Sequence, residues 1–214
     1  MLFGKIDYIN LLPFYTFAKR HIRSSQLKQS IGYKKDFPSA INAKFKKRKI
    51  DAAFISSIES KRGNFSCLDV GIVAKKEIQS VLVREGDFAP DSHSATSNAL
   101  AKQLGIKGEV IIGDKALRVY LKNPDAYIDL AQAWHDKHKL PFVFALLCVH
   151  KNRCYYKKLS KKFVRTRVKI PYYILQKYAK SRGIMIKDIK AYLELVSYEV
   201  DIKAKKGLKR FLLQ

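Results

Sequence analysis

Short apolar runs that stop at clusters of small polar residues constrain this chain more than any other feature. The run Asp51-Ala52-Ala53-Phe54-Ile55 closes on Ser56-Ser57, Ile111-Ile112 closes on Gly113-Asp114, and the hydroxyl-rich Ser94-Ala95-Thr96-Ser97-Asn98 opens a helix-like stretch. Each cluster stands between or beside strand-like and helix-like segments. Alternation of this kind implies a sheet covered by helices, an α/β fold. Helix starts present N–H groups without intrahelical partners and a partial positive charge. Hydroxyls placed there either cap the helix or add donors for an anion. Several such ends facing one cleft would cradle a small carboxylate.

Read in order, residues 2–8 form a strand, Asn10-Leu11-Leu12-Pro13 turns the chain, and 14–23 is a helix with Phe14, Phe17, Ala18 and Ile22 on one face. A strand is expected over 30–34. Pro38 opens a helix over 39–49, since proline suits a first helical turn. Strands follow at 51–55, 69–74 and 78–84, then a helix at 94–104 capped by Ser94 or Ser92. A strand at 110–112, helical stretches at 114–121 and 129–138, and a strongly apolar strand at 141–150 come next. The last third reads as helices over 151–161, 170–181, 186–196 and 206–213. The economical architecture is two α/β lobes. Residues 1–80 and 150–214 build the first and 81–149 the second, with 78–84 and 142–149 crossing between them. Such a pair leaves a cleft, and clefts bind small ligands.

The 214 residues have 47% hydrophobic content, enough for a real core, but 43 Lys and Arg stand against 18 Asp and Glu, a net charge of +25. Residues 151–214 alone hold 19 basic and 4 acidic side chains. Such basicity suits a solvated surface, a nucleic acid, an acidic membrane or an anionic small molecule. The tail sets Tyr155, Tyr156, Tyr172, Tyr173 and Tyr178 among lysines, a mixture that can grip single strands. Their helical spacing is that of buried faces, so nucleic acid is not the expected partner. No stretch approaches the roughly 20 apolar residues of a membrane span, and the start of the chain lacks a signal-peptide core. A soluble, cytoplasmic protein without a membrane partner is expected, its oligomeric state left open. Cys67, Cys148 and Cys154 are odd in number and show no framework spacing, so reduced thiols are expected, with Cys148 in the core.

The candidate residues each carry two readings. Asn10 favours a turn, because its amide bonds its own backbone; the same amide can donate to and accept from a ligand. Ser56 and Ser57 cap the helix that follows or face an anion. Ser94, Thr96 and Ser97 belong to a group of four hydroxyls between 92 and 97, more than one cap needs. Gly113 lets backbone approach a ligand closely. Asp114 suits a cap or a structural carboxylate better than a base beside a bound anion. His135 and His138 have metal-compatible spacing but no third ligand in pattern. No G-x-G-x-x-G, Walker, H-E-x-x-H or G-x-S-x-G motif occurs, which argues against nucleotide-dependent chemistry and a hydrolase elbow.

At this point a resemblance emerges. Gly4-Lys5-Ile6-Asp7-Tyr8-Ile9-Asn10-Leu11-Leu12-Pro13 resembles the opening motif of the chorismate dehydratase family of the futalosine route to menaquinone. Matches follow in order at 51–59, Ser80-Val81-Leu82, Ser94-Ala95-Thr96-Ser97, 112–117, 129–145 and the tail from Tyr192 to Phe211. One departure is Gln79, where that family often carries Gly. The resemblance implies a two-lobed fold like type II periplasmic binding proteins, each lobe a mixed sheet flanked by helices. It also implies the loss of water from chorismate, a dianion, to give 3-[(1-carboxyvinyl)oxy]benzoate. Aromatisation drives that loss, so no metal and no cofactor is expected. Asn10 would stand closest to the chemistry. Ser56, Ser57, Ser80, Ser94, Thr96, Ser97, Gly113 and Asp114 would bind substrate. Two other readings remain open: a sister enzyme of the same route that makes 1,4-dihydroxy-6-naphthoate, and a non-catalytic anion-binding module.

Overall fold

The first apolar run forms β1 (Phe3–Ile6), followed by a 3-10 turn over Ile9–Leu11 and by α1 (Leu12–His21), which carries Pro13 in its first turn. Proline fits there because that position has no intrahelical partner for an N–H. The computed structural model describes residues 1–33 and 35–213. The strand expected over 30–34 is corrected: 30–33 are the last turn of α2 (Ser25–Tyr33), and Lys34 lies outside the described residues. Leu27 and Ile31, four apart, are both buried under the sheet. The Ser30 hydroxyl donates to the Leu27 carbonyl at 2.8 Å and accepts from the Phe3 N–H at 3.0 Å, which stitches the helix to β1.

The chain continues through β2 (Lys35–Asp36), α3 (Pro38–Lys46), β3 (Ala52–Ser56), α4 (Ser57–Arg62) and β4 (Cys67–Ala74). A middle group follows: β5 (Val81–Glu85), α5 (Ala95–Leu104), β6 (Gly108–Ile112), α6 (Gly113–Tyr120), β7 (Ile128–Asp129) and α7 (Leu130–His138). The last group is β8 (Phe142–Val149), α8 (Arg153–Val164), α9 (Tyr172–Arg182), α10 (Ile186–Leu195), β9 (Val196–Glu199) and α11 (Ile202–Leu213).

Two sheets result. The larger has six strands in the order β2-β1-β3-β8-β4-β9, the smaller three in the order β6-β5-β7. The large sheet is mixed: β1 pairs parallel with β2 and β3, while β8 runs antiparallel to β3 and β4. The small sheet pairs antiparallel throughout. The strand expected to close the lobe over 81–149, β8, pairs instead with β3 on one side and β4 on the other within the large sheet. Its all-apolar sequence is the pattern of a strand buried on both faces. Strand β9, which the sequence reading did not include, adds to the sheet edge against β4.

The core is aromatic under the large sheet. Phe14 meets Phe54 and Phe163 edge-on at 4.9 and 5.2 Å, and Phe142 meets Phe211 at 4.8 Å. Trp134 is fully buried and packs on Phe142 at 5.3 Å, which ties α7 to β8. Cys67 and Cys148, opposite each other on β4 and β8, are joined as a disulfide. This corrects the expectation of three free thiols. Antiparallel pairing brings together residues 81 apart, which spacing alone cannot reveal. Cys154 is free and exposed. Among the described residues, no helix is long and apolar enough to cross a membrane.

Candidate active site

A narrow cavity of about 80 Å³ opens between the two sheets, where the ends of β1 and β3 meet the starts of α5 and α6. Its polar lining is Tyr8, Asn10, Ser56, Ser80, Ser94, Ser97 and the Gly113 backbone, set among aliphatic and aromatic side chains. None of the lining residues carries a charged side chain. An anion held here would rest on hydroxyls, an amide and backbone N–H groups, in surroundings poor in water where such contacts strengthen.

Asn10 occupies the 3-10 turn after β1, which the Leu11 N–H closes onto the Tyr8 carbonyl at 3.1 Å. The phenol of Tyr198 donates to the Asn10 carbonyl at 2.6 Å and fixes the backbone. The side-chain oxygen of Asn10 is buried without a hydrogen-bond partner in the protein. An unpaired buried amide oxygen costs free energy comparable to a lost hydrogen bond, so it is an acceptor held ready.

Ser56 ends β3 with its hydroxyl oxygen accepting from the Asn42 amide at 2.9 Å, which leaves its own proton to donate. Ser94 caps α5: its oxygen accepts from the Ser97 N–H at 3.2 Å, and its hydroxyl donates to the Ser97 oxygen at 2.7 Å. One hydroxyl thus caps while its partner faces the cavity. The first N–H groups of α5 add unpaired donors beside them.

Ser80 owes its place to a buried carboxylate. Asp129 Oδ2 accepts from the N–H groups of Ile78 and Gln79 at 2.9 and 2.6 Å, and Oδ1 accepts from Ala131 and Gln132 at the start of α7. Burial raises the Asp129 carboxyl above its ordinary value, against the lowering by these four N–H groups. Gln79 adopts φ 58°, the left-handed region that glycine enters freely, so the departure from Gly at this position places a side chain where the backbone resists one. Beyond that bend, the Ser80 carbonyl accepts from the Gly113 N–H at 2.8 Å. Gly113 itself has φ 66°, and a Cβ there would lie 2.7 Å from the Tyr8 ring. Burial pushes the Tyr8 phenol up to about 12, with help from Asp91 and Asp114, so it stays protonated at neutral pH.

Six of the nine candidates read from the sequence line this cavity: Asn10, Ser56, Ser80, Ser94, Ser97 and Gly113. Three do not, and their polar atoms are engaged elsewhere. The Ser57 hydroxyl donates to the Val143 carbonyl at 2.5 Å and pins α4 to β8. The Thr96 oxygen accepts from the Ile58 N–H at 3.2 Å and joins α4 to α5. Asp114 turns to a neighbouring surface groove, where Oδ1 accepts from the Ile9 N–H at 2.9 Å and Oδ2 pairs with Arg182 at 2.7 Å. Burial raises the Asp114 carboxyl, opposed by that N–H and the guanidinium. Asp114 is therefore a structural carboxylate, the reading that its position beside an anion site favoured.

Two residues of the site were not foreseen. The Tyr192 hydroxyl, on α10 and buried, donates to Ser80 Oγ at 2.9 Å, and Tyr198 holds Asn10 as described. Both come from the tail, more than 100 residues from the groups they touch. Nothing local in the sequence separates them from other buried tyrosines.

The known proteins similar to this chain fall into one family and one fold. A family model described as menaquinone biosynthesis matches residues 88–213, more than half of the chain. A chorismate dehydratase from Campylobacter jejuni subsp. jejuni is 51% identical over 214 residues, covering 99% of this chain and 96% of that protein. A crystal structure of an Archaeoglobus fulgidus protein aligns with TM-score 0.64 at 12% identity, covering 98% of this chain and 94% of the other. A Candida albicans gene product described as having the generic periplasmic binding protein fold aligns with TM-score 0.55 at 14% identity, covering 100% and 90%. These structural neighbours share the fold, two sheets flanked by helices.

Proposed function

The chain belongs to the menaquinone biosynthesis family, and on that premise we propose that it is a chorismate dehydratase, a carbon–oxygen lyase of the futalosine route acting in the cytoplasm. The 51% identity to a chorismate dehydratase over nearly the whole chain carries the reading, and the charge-free polar cavity supports it. Chorismate bears two carboxylates, an enolpyruvyl ether and a ring hydroxyl. The proton leaves the ring carbon that carries the ether, and hydroxide leaves the neighbouring carbon. Together they make one water, the electron pair of the broken C–H bond closes the third ring double bond, and the ring becomes aromatic.

Each part of the cavity has a task in that reaction. Ser56, Ser94, Ser97 and the opening N–H groups of α5 hold carboxylate, by neutral donors alone. Aliphatic walls such as Ile78, Ile112 and Phe144 match the ring and exclude water. Asn10, with its unpartnered oxygen, stands at the reacting carbons. The cavity contains no ionised base, so a substrate carboxylate is the group proposed to take the ring proton. About 80 Å³ is well below the ~300 Å³ at which small-molecule pockets begin. The two sheets accordingly act as lobes that part to admit substrate and close over it. The first lobe is built from 1–80 and 142–214, the second from 81–141.

The test is mass spectrometry of chorismate incubated with the purified protein. A product lighter by one water, with the enolpyruvyl group retained, is expected. Unchanged chorismate refutes the reading. In that case, heat of binding without product identifies an anion-binding module, and turnover of a cyclised futalosine product identifies the sister enzyme.

A further inference from the structure

A second groove, of about 400 Å³, lies between α8 and the first half of β4. It shares no lining residue with the cavity between the sheets. Arg153, Lys157, Lys161 and Arg165 recur every fourth residue along α8 and its C-cap, and all four line it. Residues four apart share one helix face, about 6 Å from each other along the axis. Like charges at that spacing repel, and the positive end of a helix dipole disfavours cations. Arg153 nevertheless opens α8, whose first turn holds no acidic residue. The stripe therefore costs the helix stability, and folding does not account for it.

The acids of the groove do not neutralise the stripe. Asp69 pairs with Lys205 at 2.7 Å, and Glu199 is the other acid in the lining. Among the described residues, Lys157, Lys161 and Arg165 enter no ion pair. Arg153 is tethered instead. One guanidinium nitrogen donates to Ser66 Oγ at 2.5 Å and to the Cys67 carbonyl at 3.3 Å, which leaves the rest of its fork for another acceptor.

Ser160 supplies an independent sign of a ligand. It lines the groove one turn beyond Lys157, is 2% exposed, and its hydroxyl is buried without a hydrogen-bond partner in the protein. A serine inside a helix ordinarily bonds back to the preceding turn or faces water. This one does neither, and a buried hydroxyl left unpaired costs free energy. An anion oxygen seated between the ammonium groups would accept its proton.

We propose that this groove is a second anion site, built for a small molecule that carries a diphosphate group. A diphosphate concentrates several charges and many acceptor oxygens in a short span. It can therefore meet two ammonium groups, the free part of the Arg153 fork and the Ser160 hydroxyl at once. The groove volume falls in the range of small-ligand sites, ~300–1,000 Å³. Its lining holds no aromatic side chain on which a nucleic-acid base could stack. The site is separate from the dehydratase reading, and its test does not use turnover.

The test is calorimetric titration of the purified protein with inorganic pyrophosphate, and with a nucleoside diphosphate as a second arm. Saturable binding at one site, with a Kd below about 1 mM in the presence of about 0.15 M salt, is expected in both arms. Lys157→Gln/Lys161→Gln is expected to weaken pyrophosphate by about tenfold or more. The control Lys169→Gln/Lys190→Gln removes the same charge elsewhere and is expected to stay within about twofold of wild type. Ser160→Ala is expected to weaken binding about threefold or more, with a melting temperature that is unchanged or raised in the absence of pyrophosphate, since the lost hydroxyl had no partner. No saturable binding, or equal losses in the two double variants, overturns the proposal and leaves only diffuse attraction to surface charge. A fall in the melting temperature of Ser160→Ala without pyrophosphate also overturns it, because the hydroxyl then serves the fold. Tighter binding of an oligothymidylate, rising with its length, replaces the small-ligand site with a nucleic-acid surface. Binding by the nucleoside diphosphate alone overturns the diphosphate as the recognised group.

Discussion

Glycine at 113 is the residue on which two requirements converge. Its φ of 66° lies where a side chain is strained, and the space its Cβ would take is filled by the Tyr8 ring. Gly113→Ala therefore meets both a backbone penalty of about 1 kcal/mol or more and a clash with a residue lining the cavity. Thermal unfolding is expected to shift down, and turnover to fall with it, because Tyr8 leads directly into the Asn10 turn; an unchanged melting temperature would contradict this. At the same scale the sequence was only partly readable. Asn10, Ser94 and Ser97 were recognisable as small polar groups where apolar runs end. Ser57 and Thr96 carry the same signal yet spend their hydroxyl oxygens on Val143 and Ile58, in contacts between elements far apart in sequence. Residue type gives the capacity to bond, and only the fold decides which bond is made.

Among the elements, the bend before β5 depends most on a single side chain. Asp129 accepts four N–H groups, two from Ile78 and Gln79 and two from the start of α7. Asp129→Ala leaves these donors without an acceptor at a buried site, so a loss of about 3 kcal/mol or more is expected in urea unfolding, together with lower turnover as Ser80 loses its seat. A loss under about 1 kcal/mol would show the bend to be held by something else. Most elements were legible from periodicity: α1, α3, α5, α7 and β8 lie within a few residues of their expected bounds. The exceptions share a cause. β9 continues the apolar pattern of α10 without a break and becomes a strand because β4 offers an edge some 120 residues earlier. The 30–33 segment is helical because Leu27 and Ile31 share one buried face and Ser30 bonds back to Leu27. Strand β8 was found, but its lobe was misjudged, since hydrophobicity reports burial and not which sheet supplies the neighbours.

Taken whole, the molecule joins its two sheets beside the cavity through an ion cluster. Arg182 pairs with Asp114, at the start of α6, at 2.7 Å and with Asp7, at the end of β1, at 3.3 Å, while Tyr178 donates to Asp7 at 2.7 Å. Burial raises the Asp7 carboxyl, but the Lys5 and Tyr178 hydrogen bonds and the charges of Lys5 and Arg182 outweigh it, so its pKa lies below the ordinary 3.8. A depressed carboxylate contributes stability above its unfolded pKa and loses that contribution as pH falls through the folded value. Wild type is therefore expected to melt above Asp7→Asn at neutral pH, with the gap closing below about pH 3.8. A gap constant with pH would remove the charge of Asp7 from the account. The cluster stands outside the cavity, so the proposed reaction leaves binding and chemistry to neutral groups within it. The measurement that probes this division most directly is a single-turnover absorbance trace of chorismate with Asn10→Ala against wild type at saturating substrate. The expected result is binding within a few-fold of wild type and aromatisation slowed by about 100-fold or more. Aromatisation within a few-fold of wild type would contradict the role given to Asn10 and, with it, the site as described.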